Sequence, residues 1–261
     1  MNESMRRSAF GLLPLLAVMV WTSVAAAEGL YWESKVSGMG RDTTVQNYAM
    51  PKMIKIVRSD GNVVILRADQ EKFLMLNVQR QTYHEMTFAQ LESAANTMGA
   101  QMAVARGELE KRMKDMSPDQ RAAMEKMLPK NFGDTQAAAS PVSVKATNET
   151  KTIAGHKCTK TIATQDGKQV LTAWIAKDVD GFDALHQDWV TLQKRLSSVA
   201  GPLGGGLAEA YSKIDGFPLE TETNEVTTQV TKIESRTTPE SEFTVPAGYK
   251  KEAAGPPNMN P

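Results

Sequence analysis

The chain changes its hydrophobic period, and the order of those changes constrains the fold more than any single motif. From Leu30 to Met86 the β-forming residues fall in six short runs: Leu30–Ser37, Thr43–Met50, Lys52–Val57, Val63–Arg67, Lys72–Val78 and Thr82–Met86. Ser59-Asp60-Gly61-Asn62 punctuates the third and fourth as a hairpin turn, and Gln79–Gln81 separates the last two. Six strands before any helix exclude the strand–helix alternation of a parallel sheet. They imply an antiparallel meander.

The period then lengthens. Phe88, Leu91, Met98, Met102, Leu109, Met113 and Met116 are spaced 3, 7, 4, 7, 4 and 3 apart, which places them in one stripe on a helix. Gly99 and Gly107 interrupt that stripe. A second helix is expected from Ser117, the N-cap of a capping box with Gln120, with Pro118 in its first turn. It would present Met124, Met127 and Leu128 and stop at Pro129, followed by a small-residue linker over Asn131–Ser140. Strands resume at Val142–Glu149, Ile153–Thr164 and Lys168–Ala176, the last two joined by Gln165-Asp166-Gly167. Phe182, Leu185, Trp189, Leu192, Leu196 and Val199 then step by 3, 4, 3, 4 and 3, a helix that Gly201–Gly206 should end, with a short helix over Leu207–Ile214. Asp180 is the expected N-cap, with Asp183 in the first turn. Phe217–Thr223, Val226–Ser235 and Phe243–Val245 are the final strands.

Two blocks of strands, each followed by striped helices, have one economical solution. The fold class expected is α+β: a large curved antiparallel sheet, half-barrel-like, covered by amphipathic helices on its concave face. Residues 28–252 would form this single domain, with 87–128 as a helical insertion and 253–261 as a Pro-rich disordered tail.

The first 27 residues read as a secretory signal peptide. Arg6 and Arg7 precede an uncharged apolar run of 13 residues, Ala9–Trp21, and Ala25 and Ala27 mark a cut between Ala27 and Glu28. The run is shorter than the roughly 20 residues of a membrane-spanning helix, so no transmembrane anchor is expected after cleavage. The expected location is the periplasm or the medium. With 30 basic and 30 acidic residues there is no electrostatic basis for nucleic-acid binding. A single cysteine, Cys158, excludes an intramolecular disulfide framework and a cysteine-based zinc site.

Three segments in order resemble a known family. They are Tyr31-Trp32-Glu33-Ser34; Ile153-Ala154-Gly155-His156-Lys157-Cys158-Thr159-Lys160 followed by Trp174-Ile175-Ala176; and Gly216-Phe217-Pro218-Leu219 followed by Phe243–Lys250. Their order resembles the exported DUF4412 family, which is distantly similar to LolA/LolB-like periplasmic carriers of lipoproteins and lipids. The resemblance implies an open half-barrel whose helical lid holds acyl chains, and it brings no catalytic residues.

The candidate chemistry is sparse. His84, His156 and His186 lie far apart in sequence, outside any metal-binding spacing, so no metal site or cofactor is expected. Cys158 and His156 share a strand face but sit about 7 Å apart along it, beyond hydrogen-bond reach; a buried thiol is the plainer expectation. Gly201–Gly206 lacks the phosphate-loop pattern. Seven methionines between Met86 and Met127 offer a soft, adaptable apolar surface. The leading expectation is therefore a non-enzymatic protein that binds a hydrophobic guest, such as a lipid, a lipoprotein acyl chain or an exposed apolar segment, through Met98, Met102, Leu109, Met113, Trp189 and Leu192. The rival is an envelope-stress or interaction module docking a protein partner through its Met-rich helices. An enzyme built on Cys158 is the third reading. A stripe packed over a cavity favours the first, and a stripe left in solvent favours the second.

Overall fold

The computed structural model describes residues 29–38, 40–114, 116, 117, 120, 141–223 and 225–253, with residues 106, 193, 194 and 196–205 described by backbone alone. The expected leader, the helix beyond Ser117, the linker to Ser140 and nearly all of the tail lie outside them. Twelve strands form one sheet among the described residues. The first meander is β1 (Leu30–Gly38), β2 (Arg41–Met50), β3 (Met53–Arg58), β4 (Asn62–Arg67), β5 (Lys72–Asn77) and β6 (Thr82–Thr87), followed by helix α1 (Phe88–Lys114). The second comprises β7 (Ser143–Ile153), β8 (His156–Gln165), β9 (Lys168–Ala176), helix α2 (Phe182–Ser212), β10 (Phe217–Glu222) and β11 (Val226–Ser235). A 3-10 turn (Glu240–Phe243) and a two-residue strand β12 (Lys250–Lys251) complete it.

The strand order is β12-β6-β5-β4-β3-β2-β1-β11-β10-β9-β8-β7. Antiparallel pairing of β1 with β11, from Leu30↔Ser235 to Gly38↔Val226, fuses the two meanders into one open sheet. Every pairing is antiparallel except β12 with β6. The architecture is the α+β, half-barrel-like arrangement that the two strand blocks imply.

Turn chemistry fixes the register. Asn62 donates its backbone N–H to Asp60 Oδ1 at 3.0 Å, and Gly61 donates to the Arg58 carbonyl at 3.1 Å, closing the β3–β4 turn. The expected strand Ile153–Thr164 is instead split. Ala154 and Gly155 both adopt positive φ, 48° and 87°, so Ile153 pairs with His156 and the chain reverses there. Two successive left-handed residues match the right-handed twist of a two-residue hairpin, and that geometry outweighs the β-forming residues on either side.

One sheet face carries the helices. Leu30, Ala49, Ile54, Leu66 and Phe73 lie in one cross-strand row on it. The N-terminal half of α2 packs Phe182 and Leu185 against Trp32, Phe217, Leu219 and Val230. The Phe217 ring meets Phe182 edge-on at 5.1 Å and Trp32 at 5.3 Å. The far end of α2 packs Ala210 and Tyr211, with Ile214 just beyond, on Ala163, Leu171, Ala173 and Ile175. The helix does not end at Gly201; it runs through the glycine stretch to Ser212. Anchors at both ends, including Lys213 Nζ donating to the Val142 carbonyl at 2.6 Å, outweigh the low helix propensity between them. Its N-cap is Gly181 at φ 83°, not Asp180.

The opposite face of the first meander is covered by the C-terminal segment. Residues alternate between faces along a strand, so Val63, Ile65, Leu74 and Leu76 point away from Leu66 and Phe73. Phe243 is fully buried among them, with Val245 and Tyr249 beside it. The expected strand Phe243–Val245 is therefore a plug. Glu242 N–H donates to the Pro239 carbonyl and Thr244 Oγ1 to the Ser241 carbonyl, which curls the chain. Ion pairs from Glu240 to buried Arg67 and from Glu242 to Lys55, each 2.7 Å, pin it to β4 and β3.

Candidate functional site

Two places answer to the expected hydrophobic site, and they are different in kind. The first lies beneath α2. Ala49, Met50, Met53, Ile54 and Leu66 on the sheet face Leu185, Trp189 and Leu192 on the helix across a small apolar pocket. Lys52 and Asp188 stand at its rim, where the Lys52 N–H donates to Asp188 Oδ2 at 2.9 Å. Its cavity volume is about 30 Å³. Pockets that enclose a drug-sized ligand hold about 300–1,000 Å³, so this one as it stands leaves no room for an acyl chain. Trp189 and Leu192 are the two expected residues placed here. The sheet residues Ile54 and Leu66 were not singled out from sequence; the signal for them is the row that pairs Ala49, Ile54 and Leu66 once the hairpin registers are known.

The second place is α1. Its N-terminus is well made. Thr87 N–H donates to Gln90 Oε1 at 2.9 Å while Gln90 N–H donates to Thr87 Oγ1 at 3.1 Å, a capping box that the Thr87-x-x-Gln90 spacing signals. A like pair joins Ser117 and Gln120 where the next helix was expected to start. Phe88 is buried against Phe73, Leu66 and Leu192, with the Arg195 guanidinium 5.1 Å above its ring. Beyond Leu91 and Ala95 the burial stops. Every residue from Asn96 to Ala105 is exposed, including Met98 at 43%, Met102 at 40% and Val104 at 64%. Leu109 and Met113 are half-buried. None of these four expected residues of α1 lines the pocket under α2.

The middle of α1 is unusual in composition. Ser93–Ala105 carries no charged residue. A Cβ placed on Gly99 or Gly107 would meet nothing within 4 Å. Solvated helix faces normally carry charge, so an uncharged exposed stretch bearing two methionines and a valine is an apolar surface.

The titratable groups are engaged elsewhere. Cys158 is fully buried, and burial pushes its thiol up. Its Sγ–H faces the His156 carbonyl at 3.6 Å, while the His156 ring approaches Asp178 Oδ1 at 3.3 Å. The thiol is thus directed at a backbone oxygen and the imidazole at a carboxylate, with no nucleophile–base contact between them. His84 sits with Glu252 and the Ala253 carbonyl, and His186 stacks on Phe182. Among the described residues no three His, Cys, Asp or Glu side chains form a group that could hold a metal ion, and no helix is long and apolar enough to cross a membrane.

The family model described as a domain of unknown function, DUF4412, matches residues 90–249, from α1 to the segment just short of β12. No curated protein matches the sequence. Among solved structures, the chain is similar to PNGF-II at 10% identity and TM-score 0.37, over 87% of this chain and 31% of that one. It is also similar to a chain of the Pseudomonas aeruginosa MucA/MucB complex, at 10% identity and TM-score 0.39, over 85% of this chain and 57% of that one. A crystal structure of MucB gives 9% identity and TM-score 0.38, over 85% and 58% of the two chains.

Proposed function

This chain belongs to the DUF4412 family, and we propose that it is a non-enzymatic interaction module, exported to the periplasm, that docks an apolar helix of a partner polypeptide on α1. The observation that carries this reading is the run Asn96–Ala105: ten consecutive helical residues, all exposed and all uncharged, with Met98, Met102 and Val104 among them. Burying such a face would release about 25 cal/mol per Å² of apolar surface, before the costs of association. Helix-on-helix docking needs side chains on one face at three- and four-residue spacing, which Met98 and Met102 supply. The leader-like segment Arg6–Ala27 supports export.

The test is a fluorescence anisotropy titration with a labelled synthetic helix of about 20 residues, long enough to hold helical structure in water, with a leucine stripe on an alanine and glutamine background. Binding should saturate on the unmodified chain and be lost with Met98→Glu and Met102→Glu together. Absence of binding, or binding unaffected by that pair, refutes the reading.

A second reading, a carrier for a lipid or acyl chain, draws on Trp189 and Leu192 in the apolar lining of the α2 pocket. It requires α2 to lift, because the present cavity is too small. Native mass spectrometry of gently purified protein would support it by a lipid adduct that disappears with a larger side chain at Ala49. A bare polypeptide mass would count against it.

A further inference from the structure

Between Asn96 and Ala105 the large apolar side chains are Met98, Met102 and Val104; the remainder are Asn, Thr, Gly, Gln and Ala. Residues four apart share a helix face, so Met98 and Met102 stand together, whereas Val104 lies around the helix from both. The apolar character of that face therefore rests on two thioethers. We infer that Met98 and Met102 are a paired oxidation site, at which peroxide forms two sulfoxides and switches the α1 face from apolar to polar. The switch rests on the reading of this face as a docking surface.

Exposure selects the pair. Met98 and Met102 are the exposed methionines among the described residues; the others are half-buried or, like Met50 at 6% and Met86 at 7%, buried. The competing soft nucleophile is out of reach. A thiol reacts as its thiolate, and Cys158 is fully buried in a setting that holds its proton on. A thioether has no proton to lose, so its reactivity follows access to solvent. Leucine would serve the helix equally well, because Met and Leu have nearly the same helix propensity. What methionine adds at both positions is flexibility and an oxidisable sulfur.

The chemistry balances with hydrogen peroxide as the oxidant. A sulfur lone pair attacks one peroxide oxygen, and the S–O bond forms as the O–O bond breaks. The departing hydroxide takes the proton left on the transferred oxygen and becomes water. Each sulfur is oxidised by two electrons and each peroxide is reduced by two. The sulfoxide oxygen is a hydrogen-bond acceptor that an apolar partner helix cannot satisfy, so docking would bury it unpaired. Methionine sulfoxide reductases reverse the change, with two thiols giving a disulfide and water for each sulfoxide returned to thioether.

The test treats the full chain with dilute hydrogen peroxide and follows oxygen uptake by peptide mass mapping. Met98 and Met102 should each gain one oxygen at least about tenfold faster than Met50 and Met86, with Cys158 unchanged. The leucine-striped helix should then bind at least about tenfold more weakly, and the two epimer-specific reductases with dithiothreitol should restore binding. In the pair Met98→Leu and Met102→Leu, whatever its own affinity, peroxide should change binding by less than about twofold, since no exposed thioether remains on that face. Equal oxidation rates at Met50, Met86, Met98 and Met102 overturn the inference. So does a helix that binds oxidised and untreated chain alike, or a peroxide effect that persists in the leucine pair; each of these leaves the docking reading standing. A helix that fails to bind even the untreated chain removes the docking reading, and the switch falls with it.

Discussion

Helices α1 and α2 are of similar length, 27 and 31 residues, and both carry an apolar stripe in the sequence, yet they meet the sheet in opposite ways. Helix α2 places Phe182, Leu185, Trp189 and Leu192 in its first three turns, and these large side chains reach the sheet. Helix α1 places one large aromatic, Phe88, at its start and then alanine, glycine, asparagine and glutamine between widely spaced methionines. Periodicity locates a helix. The bulk carried by each turn decides whether burial offsets the entropy of fixing that helix against a surface. Here α2 is a structural cover, whereas α1 packs at its start and leaves its middle, Asn96–Ala105, in solvent.

The sharpest way to break this contrast is truncation of the anchors. Phe182→Ala removes an edge-on ring contact and opens a cavity in the main core, so stability should fall by about 3–5 kcal/mol in urea unfolding. Leu192→Ala should cost about 2–5 kcal/mol, because Leu192 packs with both Leu66 and Phe88 and so ties the two helices together. Equal losses from truncations in the middle of α1 would abolish the distinction.

The next effect has the opposite sign. Gly99→Ala adds a methyl group to open space on a helix, so it should stabilise the fold by about 0.5–1 kcal/mol, read as a rise in the urea midpoint. A destabilisation would mean that α1 is more tightly enclosed than its exposure indicates. Met102→Ala should stay within about 0.5 kcal/mol while weakening partner binding.

Acid should sharpen the contrast further. A hydrogen bond from Lys213 holds the Glu209 carboxyl below the usual carboxylate range, and that carboxylate accepts the Val142 N–H at 3.1 Å. A carboxyl depressed by folding contributes stability that is present above its unfolded value, about 4.3, and lost as pH falls through its folded value. Amide exchange at the C-terminal end of α2 should therefore quicken below about pH 4. Exchange over Ser93–Ala105, which carries no carboxylate, should show no such transition beyond the intrinsic pH dependence of the chemistry.

The sheet was largely legible in the sequence because alternation and turn residues are local signals. Asp60-Gly61 and Asp166-Gly167 announced their hairpins, while Ala154-Gly155 was hidden inside a run of β-formers and surfaced only as two positive φ values. The role of Phe243 was not legible, since a plug on the far sheet face is defined by contacts with β4 and β5, well over 150 positions away. The continuity of α2 through Gly201–Gly206 was missed for a related reason: its stability comes from Ala210, Ile214 and Lys213 at the far end, not from the residues between. Of the six expected binding residues, Trp189 and Leu192 lie at the pocket and Met98 and Met102 in the exposed middle of α1, with Leu109 and Met113 half-buried beyond. The stripe gave their helical face but not what that face would meet.

The most direct measurement is amide hydrogen exchange by mass spectrometry with and without a saturating leucine-striped helix. The account predicts that protection rises by at least about tenfold across Asn96–Ala105 and is unchanged at Leu185–Leu192. Protection appearing under α2 instead, with Asn96–Ala105 unaltered, would contradict it.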